Sequence, residues 1–396
     1  MKSSLTRRHI LGAAAGLAAF RMTGAAYAAA LPPLPKSPVT INLVDVAGDL
    51  ALTQGAFQNY LKAKPQVVSK INFTKAPAPE LPGKLKAQQD AGRLDIDIVL
   101  TGLDALAAGI EQKLWVELYP TYADALPKLN DILLPSSIKM QALAKGQGVI
   151  VSTSAGGPII EYAPERVKTP PTTAEELLAW AKANPNKFIY ARPANSGPGR
   201  EFIMGLPYIL GDKDPMDPVK GWDKTWAYLK ELGEYVEYYP TGTGATMKEF
   251  GEGTRDMLAS MTGWDINPRI IGVVPKSAAI TTLKGFHFVT DAHFICIPKG
   301  LTDERLAVLV DIINFVMQKE QQAITYDKGY GYPGPSVKDV PLSMAPQESQ
   351  DALKEFGRPE YDKLIAETPS EVPLDANQMV AAFRIWDETV GAKKTK

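Results

Sequence analysis

The chain has 396 residues, with 43 Lys and Arg against 44 Asp and Glu, three histidines and a single cysteine. That length exceeds one ordinary core and calls for two domains, and the near-balanced charge offers no basic stripe for nucleic acid or an anionic membrane surface. So few His and Cys exclude an internal disulfide and a Cys/His zinc cage, and leave little material for a Ser-His-Asp or Cys-His nucleophile.

The N-terminus carries Thr6-Arg7-Arg8-His9-Ile10-Leu11, then an apolar run from Gly12 to Phe20 and small residues from Ala25 to Ala30. A basic lead, a short apolar stretch and an Ala-x-Ala site make an export signal over residues 1–28, and the paired arginines point to the twin-arginine route into the periplasm. The apolar run is too short to span a bilayer, which takes about 20 residues. Cleavage is expected after Ala28, with Ala30 as the alternative; losing Lys2, Arg7, Arg8 and Arg21 takes the net charge from −1 to −5.

From residue 39 onward the pattern alternates. Strands are predicted at 39–44, 67–73 and 96–100, with helices at 50–64, 81–91 and 103–112 between and after them. This alternation signals a parallel α/β sheet with right-handed crossovers. A strand at 149–152 opens a second unit, followed by a capping box Thr173-Ala174-Glu175-Glu176 on a helix to Ala183 and a strand at 188–191. Asn195-Ser196-Gly197-Pro198-Gly199-Arg200 then starts a helix to Leu210, and a Trp/Tyr-rich helix covers 222–232. Cys296 lies in an apolar, β-rich stretch from Gly285 to Pro298 and reads as a buried thiol. A long helix runs from Thr302 to about Tyr326, and a last one covers 378–390.

Four stretches in register resemble the bacterial extracellular solute-binding proteins, the periplasmic receptors of ABC importers, and within them the polyamine, thiamine and ferric-ion binders. They are Asp95-Ile96-Asp97-Ile98-Val99 with Thr101-Gly102, Gly251-Glu252-Gly253 with Asp256-Met257-Leu258, Ile297-Pro298-Lys299-Gly300 with Phe315 to Gln322, and Tyr330-Gly331-Tyr332-Pro333-Gly334. The resemblance implies a type II periplasmic-binding-protein fold: two α/β lobes joined by crossovers, with a small solute held between them. Lobe 1 is then expected at 36–148 plus 285–340, lobe 2 at 149–284, and a helical segment at 341–396 packing on both. It also implies transient docking on an inner-membrane ABC permease, a monomer, and no catalysis, cofactor or metal. An exported hydrolase or cofactor enzyme is the rival reading, weakened by the absence of a Gly-x-Ser-x-Gly elbow and of Gly-rich phosphate loops.

Open sheets bind ligands beyond the carboxyl ends of their strands. The candidate contacts are therefore Asp45 after the first strand, Thr101 and Gly102 after the third, and Ser196, Gly197, Gly199 and Arg200 at a helix start. The last group suits an anion, through free N–H groups and a bidentate guanidinium, or is an ordinary turn and N-cap. Trp264 and Asp265 follow a strand at 258–262 and suit a cationic nitrogen, by cation–π attraction and charge-assisted hydrogen bonds; a core tryptophan beside a capping aspartate is the alternative. Tyr162 is as consistent with packing as with ligand contact, and Asp291 and Tyr330 complete the set. Ferric-ion binders carry adjacent tyrosines where this chain has Trp264 and Asp265, and Tyr238-Tyr239 is read on a strand that points the two rings apart.

Overall fold

The computed structural model describes residues 29–392 and 394; the expected signal peptide lies outside the described residues. The strands are β1 (Val39–Asp45), β2 (Val68–Lys75), β3 (Ile98–Thr101), β4 (Val149–Gly157), β5 (Ile159–Tyr162), β6 (Phe188–Ile189), β7 (Met257–Ser260), β8 (Ala279–Thr281), β9 (Phe288–Cys296), β10 (Pro333–Pro335) and β11 (Ser370–Glu371).

One sheet has the order β10-β4-β9-β3-β1-β2, with β11 added beside β9. β1 runs parallel to β2 and β3, whereas β9 lies antiparallel between β3 and β4. All four residues of β3 are buried, as expected for a central strand covered by helices on both faces. The second sheet has the order β6-β7-β5-β8, with β5 antiparallel to both neighbours. Helix Gly197–Leu210 packs against β7 of this sheet and also against β4 and β9 of the first.

Three expectations need correction. β4 belongs to the first sheet rather than opening the second unit: its Val149-Ile150-Val151 run is wholly buried, and the chain enters the second sheet only beyond Gly157. The long helix at 302–326 stops at Val316, because Gln318 is extended and Gln322 turns its amide inward to the Val151 and Val316 carbonyls. Tyr238-Tyr239 lies outside both sheets in chain without regular secondary structure, with Tyr239 packed 4.9 Å from the Trp386 ring, centroid to centroid. The predicted cap on helix Ala174–Ala183 forms: Thr173 Oγ1 accepts the Glu176 N–H at 3.1 Å, while the Glu176 carboxylate bonds Thr172 rather than Thr173.

The C-terminal segment ties the two halves together. Helix Ala376–Trp386 packs on helix Leu103–Glu111 beside the first sheet. At its end Trp386 enters the second half, where its indole N–H donates to the Tyr190 hydroxyl at 3.0 Å. Further upstream, Arg358 forms an ion pair with Asp265 at 2.7 Å.

Candidate functional site

A cleft of about 720 Å³ lies between the two sheets, within the range of small-molecule pockets. On the first-sheet side its walls come from the loop after β1 (Val46, Gly48), from Gly102 and Asp104 after β3, from Ser152 and Ser154 on β4, and from Asp291 and His293 on β9. The other wall comes from Asn195, Ser196, Gly197 and Arg200, from Thr241 and Thr243 at the start of helix Thr243–Gly251, and from Met261 and Trp264 after β7; Tyr330 closes one end.

Seven of the twelve residues singled out in the sequence line this cleft: Gly102, Ser196, Gly197, Arg200, Trp264, Asp291 and Tyr330. The other five do not, for identifiable reasons. Asp45 is buried, and its carboxylate accepts the N–H groups of Ala47, Gly48, Asp49 and Leu50, so it shapes the loop and helix start rather than facing a solute. Thr101 is fully buried and donates its hydroxyl to the Gly102 carbonyl. Tyr162 pairs with Met257 and Ala279 inside the second sheet. Gly199 sits in the first turn of its helix, where its N–H donates to Ser196 Oγ in a side-chain cap. Asp265 is fully buried and turned away: one oxygen takes the Arg358 ion pair, and the other accepts the Gly263 N–H.

Arg200 is not free for an anion either. Its Nη2 donates to both oxygens of Asp291, 2.9 Å each, in a buried pair. Burial opposes the guanidinium charge, but Asp291, Asp104 and Glu201 more than offset it and hold the cation above its usual range. Burial pushes the Asp104 carboxyl up while Arg200 pulls it back. Glu80, Asp104 and Asp291 therefore face the cleft against a single arginine already matched by Asp291.

At one end Trp264 and Tyr330 meet with ring centroids 5.2 Å apart at 55°, an edge-tilted pair open to the cleft. Gly263 makes that contact possible. Its φ of +102° is closed to most side chains, and a Cβ there would stand 2.5 Å from the Tyr330 carbonyl oxygen. Gly263→Ala is accordingly expected to cost about 2 kcal/mol or more, measured by urea denaturation. A loss within about 0.5 kcal/mol, the ordinary surface range, would show that the turn relaxes freely.

Beneath the floor lies a cluster that the sequence reading missed. Ser152 and His293 are directly opposite in the β4–β9 ladder, and Ser152 Oγ lies 2.9 Å from His293 Nδ1 and 3.2 Å from Asp49 Oδ1. Asp49 is fully buried; burial, partly countered by His293, pushes its carboxyl up to about 6. Period-two spacing could have found part of this, since Asp291 and His293 fall on one face of a strand and Ala292 and Phe294 on the other.

Residues 55–354 match the family described as "Bacterial extracellular solute-binding protein". The chain belongs to that family. The fold of this solute-binding protein is also that of solved type II periplasmic binding proteins. The spermidine/putrescine ABC transporter substrate-binding protein of Streptococcus pneumoniae aligns at 14% identity with a TM-score of 0.59, covering 88% of this chain and 99% of that one. The ferric ion-binding protein A of Pasteurella haemolytica gives 14% and 0.59, over 88% and 97%. AfuA of Actinobacillus pleuropneumoniae, solved with fructose-6-phosphate, gives 15% and 0.61, over 90% and 99%. No curated protein sequence matches the chain.

Proposed function

We propose that this solute-binding protein serves an ABC importer as its periplasmic receptor, exported by the twin-arginine route, acting as a monomer and performing no chemistry on its cargo. The cargo is a small amine-bearing cation. One observation carries that reading: Arg200 and Asp291 pair with each other, so Glu80 and Asp104 face the cleft as surplus acids, and the aromatic pair Trp264–Tyr330 lines the same cleft. A cationic nitrogen gains about 0.5–2 kcal/mol from an aromatic face, plus charge-assisted hydrogen bonds to carboxylates.

Of the candidate contacts, Trp264 and Tyr330 supply the cation site, while Gly102, Ser196, Gly197 and the paired Arg200 and Asp291 frame it. Ligand contacts from both walls favour a closed arrangement of the two halves, and that closed form would dock on the permease. Ferric-ion capture lacks support, since neither Tyr238 nor Tyr239 lines the cleft.

The test is a calorimetric titration with linear diamines and triamines, sugar phosphates and inorganic phosphate as the comparison set. Saturable amine binding, with a smaller radius of gyration in solution scattering, is expected. Trp264→Ala should weaken amine binding about tenfold or more while its melting curve stays cooperative. Saturable binding of sugar phosphates with none of amines would overturn the cation assignment.

A further inference from the structure

His293 is the cleft residue whose surroundings dictate the direction of its hydrogen bonds. Its Nδ1 faces two oxygens from behind: Ser152 Oγ at 2.9 Å and Asp49 Oδ1 at 3.5 Å. Ser152 has one proton, and Asp49 Oδ1 stands 3.2 Å from the same hydroxyl. If Ser152 donated to His293, the buried carboxylate would lose that donor, and a bare Nδ1 lone pair would face Asp49. The arrangement that satisfies all three groups runs His293 Nδ1–H to Ser152, then Ser152 O–H to Asp49. Neutral His293 then carries its proton on Nδ1 and leaves Nε2 as a bare acceptor. Among the described residues Nε2 has no hydrogen-bond partner, and the ring lines the cleft.

We infer that His293, held by Ser152 and Asp49, is a specificity-determining residue whose Nε2 accepts a hydrogen bond from an N–H of the bound solute. This rests on the amine reading above and sharpens it: the site requires a donor at this point and disfavours a bare acceptor such as a carboxylate or phosphate oxygen. Protonating the ring turns Nε2 into a donor and adds a positive charge, so acid should weaken the binding of a cation. Asp49 stands behind the ring, and the other charged and titratable groups of the same cleft are Glu80, Asp104, Asp291, the Tyr330 hydroxyl and Arg200, the last engaged by Asp291. Protonating Asp49 would also remove negative charge from the floor.

Long-range proton–nitrogen spectra of the 15N-labelled full-length protein decide the tautomer, with the His293 signals identified by their loss in His293→Gln. The neutral ring is expected to carry its proton on Nδ1; an Nε2–H form would overturn the inference. Calorimetry with a linear diamine is the second arm. The parent should bind more weakly at about pH 5.5 than at about pH 8, since Asp49, pushed up to about 6 by burial, takes up its proton across that range. His293→Gln, which keeps an acceptor, should retain affinity at about pH 8 with a smaller pH ratio, whereas His293→Leu should lose about tenfold at that pH. Diamine binding that ignores both variants and pH would remove His293 from the site and leave the amine reading standing; no diamine binding at either pH would overturn both.

Discussion

Asp265→Ala should lower the unfolding free energy by about 3–5 kcal/mol, a large fraction of the total stability of a protein this size. Asp265 is fully buried, its ion-pair partner Arg358 is nearly so, and the bond between them is 2.7 Å long. Burial alone would weaken the Arg358 charge, and Asp265 is the main group that restores it. Truncating the acid leaves a buried guanidinium close to a second one, Arg269, and the two already oppose each other. The same change frees the Gly263 N–H and loosens the hold of the C-terminal segment on the turn that carries Trp264. The loss should sit toward the lower end of the range, because nearby Glu161 can then ionise and take up part of the charge. Denaturant unfolding measures the cost. The decisive comparison is with Trp264→Ala, which is expected to lose solute while keeping its fold. An Asp265→Ala protein as stable as the parent, but unable to bind amines, would return Asp265 to the ligand site and refute the structural role.

Glu161→Gln should make the protein's stability less dependent on pH. Both Glu161 oxygens are buried without a hydrogen-bond partner among the described residues, and burial, reinforced by Asp265, pushes the carboxyl up from 4.5 to about 8. A raised acid costs the folded state stability once the unfolded chain ionises and the buried group does not. Below about pH 4.5 both states are protonated and the group is neutral in effect. As pH rises from there to about 8, the unfolded chain ionises and the folded protein does not, so stability falls by about 1.4 kcal/mol per pH unit, a few kcal/mol in all. Glutamine has no such proton. The difference in unfolding free energy between variant and parent should therefore grow in favour of glutamine across that window and level off above it. Equal slopes for the two proteins between about pH 5 and 8 would show that Glu161 ionises normally in the fold.

Much of the architecture was readable from local pattern. The three strand–helix repeats from Val39 to Glu111 appear close to their predicted bounds, because each element's burial is written in its own periodicity. Assigning β4 to the wrong sheet shows the limit of that signal: Val149 to Gly157 reads as a strand wherever it goes, and only its pairing with β9, more than a hundred residues away, says which sheet it joins. The site divides in the same way. Small residues at a helix start and an aromatic after a strand end were legible as cleft positions, and Gly102, Ser196, Gly197, Trp264 and Tyr330 do line it. The acids were not. Asp45, Asp265 and Asp291 look alike in the chain, yet one caps a loop, one holds the C-terminal segment and one faces the cleft.

What the chain alone determined is the kind of molecule: a two-part α/β protein with too few reactive side chains for the usual nucleophiles, and polar loops where its strands end. What the tertiary structure decided is the charge that a solute meets. A carboxylate's availability depends on whether a cation or an N–H has already claimed it, and here those claimants are 91 residues from Arg200 to Asp291 and 93 from Asp265 to Arg358. Coulomb attraction and desolvation act through space at a few ångströms, so no window of sequence contains them.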